Sequence, residues 1–139
     1  MIFAVIDTNV LVSALWSQDV KSPPMRVLSA FVGNVFTALI SNEIMIEYAD
    51  VLKRPKFGFD EDDVDRLLRY FERHAVRVEP VESALSFPDA DDKVFYCTAL
   101  ARDNAKVVTG NLKHYPVSPI VVTPAQFCTQ LEIGFRAGG

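Results

Sequence analysis

The side chains of this 139-residue chain best placed to do chemistry are carboxylates at the boundaries of predicted elements. Ile2-Phe3-Ala4-Val5-Ile6 is a short apolar run that ends at once in Asp7-Thr8-Asn9. Such a run reads as a strand buried on both faces. Val10, Leu11, Ala14 and Leu15 recur at helical spacing directly after it. Asp7 therefore stands at the carboxyl end of a buried strand, where open α/β sheets place their ligand crevice. Aspartate also caps helices well, and on this segment alone both roles fit. A second group, Asp89, Asp91 and Asp92, precedes a nearly all-apolar helix containing Val94, Phe95, Cys97, Ala99, Leu100 and Ala101. A helix so apolar is buried on most sides, and its start points acids at the interior or at a cleft. Glu47 lies between these groups, innermost of Glu43, Glu47 and Asp50 and flanked by Ile44 and Val51. Its spacing alone favours a solvated acidic stripe.

Two carboxylates ~4 Å apart repel by ~4 kcal/mol at an effective dielectric of ~20. Gathering three requires protonation, basic partners or a cation. No Lys or Arg adjoins Asp7, and within the second group only Lys93 does. Oxygen ligands with room for water select hard cations, Mg²⁺ or Mn²⁺. Such a site is suited to attack of water on a phosphodiester, the cation activating the nucleophile and stabilising the leaving oxygen. The chain offers no glycine-rich phosphate loop, no nucleophile elbow and no plausible Ser-His-Asp set.

The elements that must position these acids alternate strand and helix. A second strand is predicted over 35–40, after a helix starting near Pro23 whose buried side is Met25, Leu28, Ser29 and Val32. Ser41 caps the helix over 42–53 that carries Glu47, stopped by Pro55. A helix opened by Asp60-Glu61-Asp62-Asp63 follows, with Val64, Leu67, Leu68, Phe71 and Ala75 on its core face and His74 half-buried beside it. Further strands are predicted over 76–81, 107–109 and 120–122, with a last helix from Thr123-Pro124 through Leu131. Connections too long for hairpins give a three-layer α/β/α sandwich around a parallel sheet of four to five strands. Residues 1–131 form one domain and 132–139 a frayed tail.

Net charge is −4, from 18 acidic and 14 basic residues. That weighs against a nucleic-acid partner, since such domains are usually basic, but less so if several acids bind cations at one site. Lys53, Arg54, Lys56, Lys113 and His114 are candidates to guide a polyanion at its rim. Cys97 and Cys128 fit neither a disulfide framework nor a metal-binding spacing and read as buried thiols of a reducing cytoplasm. No apolar run approaches the ~20 residues of a membrane span, and the N-terminus has no signal-peptide pattern.

Three stretches, IDTNVLVSAL, SNEIMIEYADVLKRPKF and DADDKVFYCTALARDNAKVVTGNLKHYP, resemble the PIN-domain family in order and over nearly the whole chain. They are most similar to its VapC-like branch, the toxin components of toxin–antitoxin pairs. The resemblance implies a Mg²⁺/Mn²⁺-dependent ribonuclease acting on RNA, commonly a homodimer and restrained by a small antitoxin protein. It implies catalytic acids at Asp7, Glu47 and Asp92, all three as metal ligands. Helical position alone leaves Asp91 and Asp92 equivalent; the family's spacing to Ala99 favours Asp92. The fourth catalytic position, usually Asp, is Asn111 here, and an amide coordinates through its carbonyl but brings no charge. A haloacid-dehalogenase-type phosphotransferase needs a second Asp where Asn9 stands. A receiver-type domain lacks the Asp it needs at the end of a central strand. A non-catalytic PIN-like RNA-binding or scaffold module is the remaining alternative, favoured only by Asn111.

Overall fold

The computed structural model describes the backbone of residues 1–138 and the side chains of residues 1–132. In chain order the elements are β1 (Phe3–Ile6), α1 (Thr8–Trp16), α2 (Pro23–Val32), β2 (Thr37–Ile40), α3 (Asn42–Leu52), α4 (Glu61–His74), β3 (Val76–Arg77), α5 (Ala90–Ala99), β4 (Lys106–Val108), β5 (Val121–Val122) and α6 (Pro124–Gly138). Single 3₁₀ turns occur at Pro55–Phe57 and Leu112–His114. The strands form one parallel sheet in the order β3-β2-β1-β4-β5, with Ile6 opposite Val108 and Val108 opposite Val122. Helices cover it in a three-layer α/β/α arrangement. A sheet covered on both faces needs apolar residues at consecutive positions. Accordingly Ala4, Val5, Ile6, Ala38, Leu39, Ile40, Val107 and Val108 are all buried.

The chain lays down β1, β2 and β3 outward in one direction, then crosses back to place β4 on the other side of β1. This reversal opens a crevice at the carboxyl ends of β1 and β4. Asp7 follows β1 there, and Thr109-Gly110-Asn111 follows β4. Beneath it the core is aromatic: Phe31 stacks on Phe71 with centroids 4.6 Å apart, and Tyr48 meets Phe71 at 5.1 Å. Burying each such ring contributes about 1.5–3 kcal/mol, so the acids at the crevice stand on a well-packed floor.

Several local expectations shift. Helix α2 buries Val27 and Phe31 and leaves Ser29 and Val32 exposed. Its sequence carries apolar residues on two overlapping arcs, and packing against α1 and α6 selects between them. Strand β2 begins at Thr37, not Val35, because Gly33 ends α2 and Asn34 takes a left-handed conformation (φ 61°). Strand β3 has only two residues and lies at the sheet edge, where nothing beyond it rewards a longer pairing. His74 is exposed and packs its ring on Tyr70, 4.2 Å between centroids. Helix α6 is Pro124–Gly138, past the Leu131 end expected for it. Gly139 and the side chains of 133–138 lie outside the described residues, and the tail expected there with them.

Candidate functional site

Asp7 is the buried acid of the crevice, 4% exposed. Its position follows from β1: Ile6 pairs with Val108, and the Asp7 N–H donates to the Val108 carbonyl at 2.9 Å. Its side chain caps α1 by accepting from Asn9 N–H at 3.4 Å, so the capping role is real, but the bond is long. The stronger partners come from across the crevice. The Thr109 and Tyr115 hydroxyls both donate to Asp7 Oδ2, at 2.9 and 2.8 Å. Burial raises the Asp7 pKa, and these two hydroxyls pull it partly back.

The far wall is built from β4 and the turn after it. Asn9 Nδ2 donates to Thr109 Oγ1 at 3.3 Å, and Gly110 N–H donates to Asn9 Oδ1 at 2.9 Å. Asn111 N–H donates to Thr109 Oγ1 at 3.1 Å, and the Asn111 amide meets His114 Nε2 at 2.9 Å. One hydroxyl, that of Thr109, thus connects Asp7, Asn9 and Asn111.

Asp92 enters from the first turn of α5, whose cap is Asp89, accepting from Asp91 N–H at 2.9 Å. Its side chain is 14% exposed, and burial first, then the charge of Asp7, raise its pKa to about 6. His114 Nδ1 lies 3.3 Å from Asp92 Oδ2 and offsets part of that rise. Asp92 Oδ2 nonetheless has no hydrogen-bond partner. Among the described residues it shares that condition with one other buried side-chain oxygen, Thr8 Oγ1, next in the chain to Asp7.

Glu47 is carried by α3, which is tied to the end of β1 by the Tyr48 hydroxyl donating to the Ile6 carbonyl at 2.5 Å. Glu47 is half-buried, and burial raises its pKa, followed by the charge of Asp91 and, more weakly, those of Asp50 and Asp7. Its cleft, about 340 Å³, is lined by Glu43, Ile46, Glu47, Ala90, Asp91 and Val94. Asp7, Asp92 and Asn111 therefore share one crevice, with Glu47 at its α3 side beside Asp91.

Among the described residues no three His, Cys, Asp or Glu side chains converge closely enough to hold a metal ion. The donor chemistry still fits one. Asp92 Oδ2 is a buried acceptor without a donor, and Asp7 Oδ1 has only its long bond to Asn9 N–H. Both belong to carboxylates whose charged forms are disfavoured as they stand. A hard divalent cation meets both conditions.

Two residues of this site, Tyr115 and Tyr48, went unread in the sequence. His114, expected among the basic residues at the rim, is exposed and stands beside Asp92. Of the basic residues expected at the rim, Lys53, Arg54 and Lys56 follow the C-terminus of α3. From Glu47 to Lys53 the chain rises only about 9 Å along the helix, and the charge of Arg54 acts on Glu47, opposing the rise in its pKa. Lys53 pairs there with Asp65 at 2.7 Å, Arg54 with Asp50 at 2.9 Å, and Lys56 lies over the Phe57 ring.

The PIN domain family matches residues 4–113, and the chain belongs to it. A chain in the crystal structure of VapBC2 from Rickettsia felis, bound to a DNA fragment from their promoter, is similar in fold. The TM-score is 0.56 at 20% identity, over 88% of this chain and 97% of that one. No curated protein matches the sequence. Among the described residues no helix is long and apolar enough to cross a membrane.

Proposed function

We propose that this PIN-domain protein is a Mg²⁺- or Mn²⁺-dependent ribonuclease and the toxin of a toxin–antitoxin pair, working in the cytoplasm as a homodimer. The observation that carries it is the pair of carboxylates facing one crevice, Asp7 and Asp92, each with its charged form disfavoured and the second with a buried unpartnered oxygen. Asp7, Glu47 and Asp92 are the proposed metal ligands, and Asn111 shares the catalytic wall. A bound divalent ion supplies Lewis acidity toward water and the phosphodiester. The protein's own residues do the positioning. Tyr115 and Thr109 fix one oxygen of Asp7 and leave the other with only its long bond from Asn9 N–H. Asn9 and Asn111 hold Thr109 in place to do so. The fold shared with VapBC2 supports an antitoxin partner.

The test is incubation of single-stranded RNA with the purified protein and Mg²⁺ or Mn²⁺. Cleavage that EDTA abolishes and Asp7→Asn removes is expected. Asn111 favours a second possibility, a non-catalytic RNA-binding or scaffold module. Retention of the same RNAs without cleavage in any metal would select it.

A further inference from the structure

Asp7 and Asp92 reach the crevice on different elements, yet consecutive residues after β4 touch both. His114 Nδ1 stands 3.3 Å from Asp92 Oδ2, and the Tyr115 hydroxyl donates to Asp7 Oδ2 at 2.8 Å. The His114 contact is an exposed pair, and such pairs hold a helix only weakly. A firmer hold on the first turn of α5 lies behind it. Residues 78–89, between β3 and α5, contain no helix or strand. Of residues 79–89, Phe87 is the one hydrophobic side chain packed against the core. Its ring meets Tyr96 at 5.5 Å between centroids and Tyr115 edge to face at 6.0 Å. Both tyrosines are buried. Two residues further on Asp89 caps α5, and Asp92 lies in that first turn.

One ring thus serves both acids. Tyr115 holds Asp7 by its hydroxyl and bears Phe87, the anchor of the turn that carries Asp92. That turn needs an anchor. The two carboxylates repel across the crevice, and Ala90 and Asp91 are exposed, with no packing of their own to keep the turn down. The buried body of α5, from Phe95 to Ala99, fixes only the helix axis. Aromatic rings that meet edge to face have a preferred geometry, so the Phe87 contact is directional. We propose that Phe87 is a positioning residue, a peg that seats the first turn of α5 on Tyr115 and so fixes Asp92 against Asp7. This rests on the ribonuclease reading, in which the two acids act together. Phe87 acts through Tyr115 and the α5 cap. Misplacing a reacting group by about 1 Å costs about 10²-fold in rate, so the loss of Phe87 falls on turnover more than on RNA binding.

The experiment compares Phe87→Ala, Phe87→Leu, Phe87→Tyr and Leu85→Ala, the last an exposed neighbour in the same segment. With single-stranded RNA and Mn²⁺, kcat should fall at least about tenfold in Phe87→Ala while KM changes less than about threefold. Phe87→Tyr, which keeps the ring, should recover kcat to within about threefold of the parent, and Leu85→Ala should match the parent. Phe87→Leu is the milder loss and should show the same effects in smaller measure, which keeps the test decisive if Phe87→Ala does not fold. Amide hydrogen exchange of the metal-free proteins supplies a readout apart from activity. In Phe87→Ala, exchange at 90–93 should quicken by more than the change in global stability, read by urea unfolding, accounts for. Exchange there that quickens only as much as in β1 marks Phe87 as ordinary packing and overturns the inference. So does an unchanged kcat, whether or not KM rises, and each of these results leaves the ribonuclease proposal standing. A parent that cleaves no RNA overturns both.

Discussion

The Tyr115 hydroxyl donates to Asp7 Oδ2 across 2.8 Å in a buried setting, joining two residues 108 positions apart. Tyr115 lies beyond the 3₁₀ turn that follows β4, and Asp7 at the end of β1, so the bond spans the point where strand order reverses. It supplies a donor to a carboxylate that has lost its water. It also fixes which oxygen of Asp7 is engaged, since Thr109 donates to the same atom. The crevice is thereby held open by hydrogen bonds from one wall to the other.

Tyr115→Phe should therefore destabilise the protein by about 1–3 kcal/mol at neutral pH, the cost of leaving a buried charged acceptor short of a donor. The pH dependence separates this from lost packing. Burial already raises the Asp7 pKa, and removing the hydroxyl raises it further. A raised carboxyl pKa favours folding when the group is protonated, and that advantage disappears as pH rises through the folded value. The deficit of the variant relative to the parent should accordingly be small near pH 4 and full near pH 8. Urea unfolding at both pH values measures it, and equal deficits would assign Tyr115 a packing role alone.

What was legible in the sequence follows from which interactions are local. The uninterrupted apolar runs around Val5, Leu39 and Val107 announced strands covered on both faces, because burial on both sides leaves no polar position. Asp7 and Asp92 could be placed at element starts, since caps and apolar runs are neighbours in the chain. The partners of those acids could not. Tyr115 and His114 reach Asp7 and Asp92 through the closure of β4 against β1, and no local periodicity encodes that pairing. The partners of the basic residues after α3 were hidden for a similar reason: Lys53 pairs with Asp65 of α4, a contact made by helix packing, while the charge of Arg54 also acts on Glu47.

Asn111→Asp tests how the fourth position works. An aspartate replaces the amide nitrogen that faces His114 Nε2 with a carboxylate oxygen and adds a charge near the proposed ion. The Mn²⁺ concentration for half-maximal RNA cleavage should fall, and melting should respond to less Mn²⁺. Repeating the substitution in a His114→Ala background locates the effect. Gain that survives means residue 111 acts on the metal directly, and gain that vanishes means it acts through His114. An unchanged requirement in the parent background would place Asn111 outside the site's influence.

Glu47 and Asp91 pose a second choice, because Asp91 is the acid that most strongly raises the Glu47 pKa. Proximity to Glu47 does not make Asp91 a ligand. Asp91 is exposed and its N–H is spent on the α5 cap. Asp91→Asn should leave RNA cleavage within about threefold of the parent, an allowance of roughly 0.6 kcal/mol. Glu47→Gln should abolish it while the protein stays folded by circular dichroism. Loss of activity in Asp91→Asn with retention in Glu47→Gln would exchange their roles.

Asp92→Asn distinguishes a metal ligand from a structural acid by stability alone. In the metal-free protein the Asp92 pKa is raised to about 6 by burial and by Asp7. Between its ordinary value near 4 and about 6 the folded state holds the proton more tightly than the unfolded chain. Stability therefore falls as pH rises through that window and stays reduced above it. Asparagine cannot titrate, so the variant in EDTA should be the more stable protein at pH 7, by about 1–2 kcal/mol once partial solvent access is allowed for. Near pH 4 the two should differ little. Millimolar Mn²⁺ should raise the parent's melting temperature, because an ion that binds only the folded state stabilises it with the logarithm of its concentration over Kd. The variant should lose most of that rise. Four melting curves, parent and Asp92→Asn each with EDTA and with Mn²⁺, contain the comparison. A variant that melts below the parent in EDTA and keeps the full metal-induced rise would make Asp92 a structural acid and remove it from the metal site.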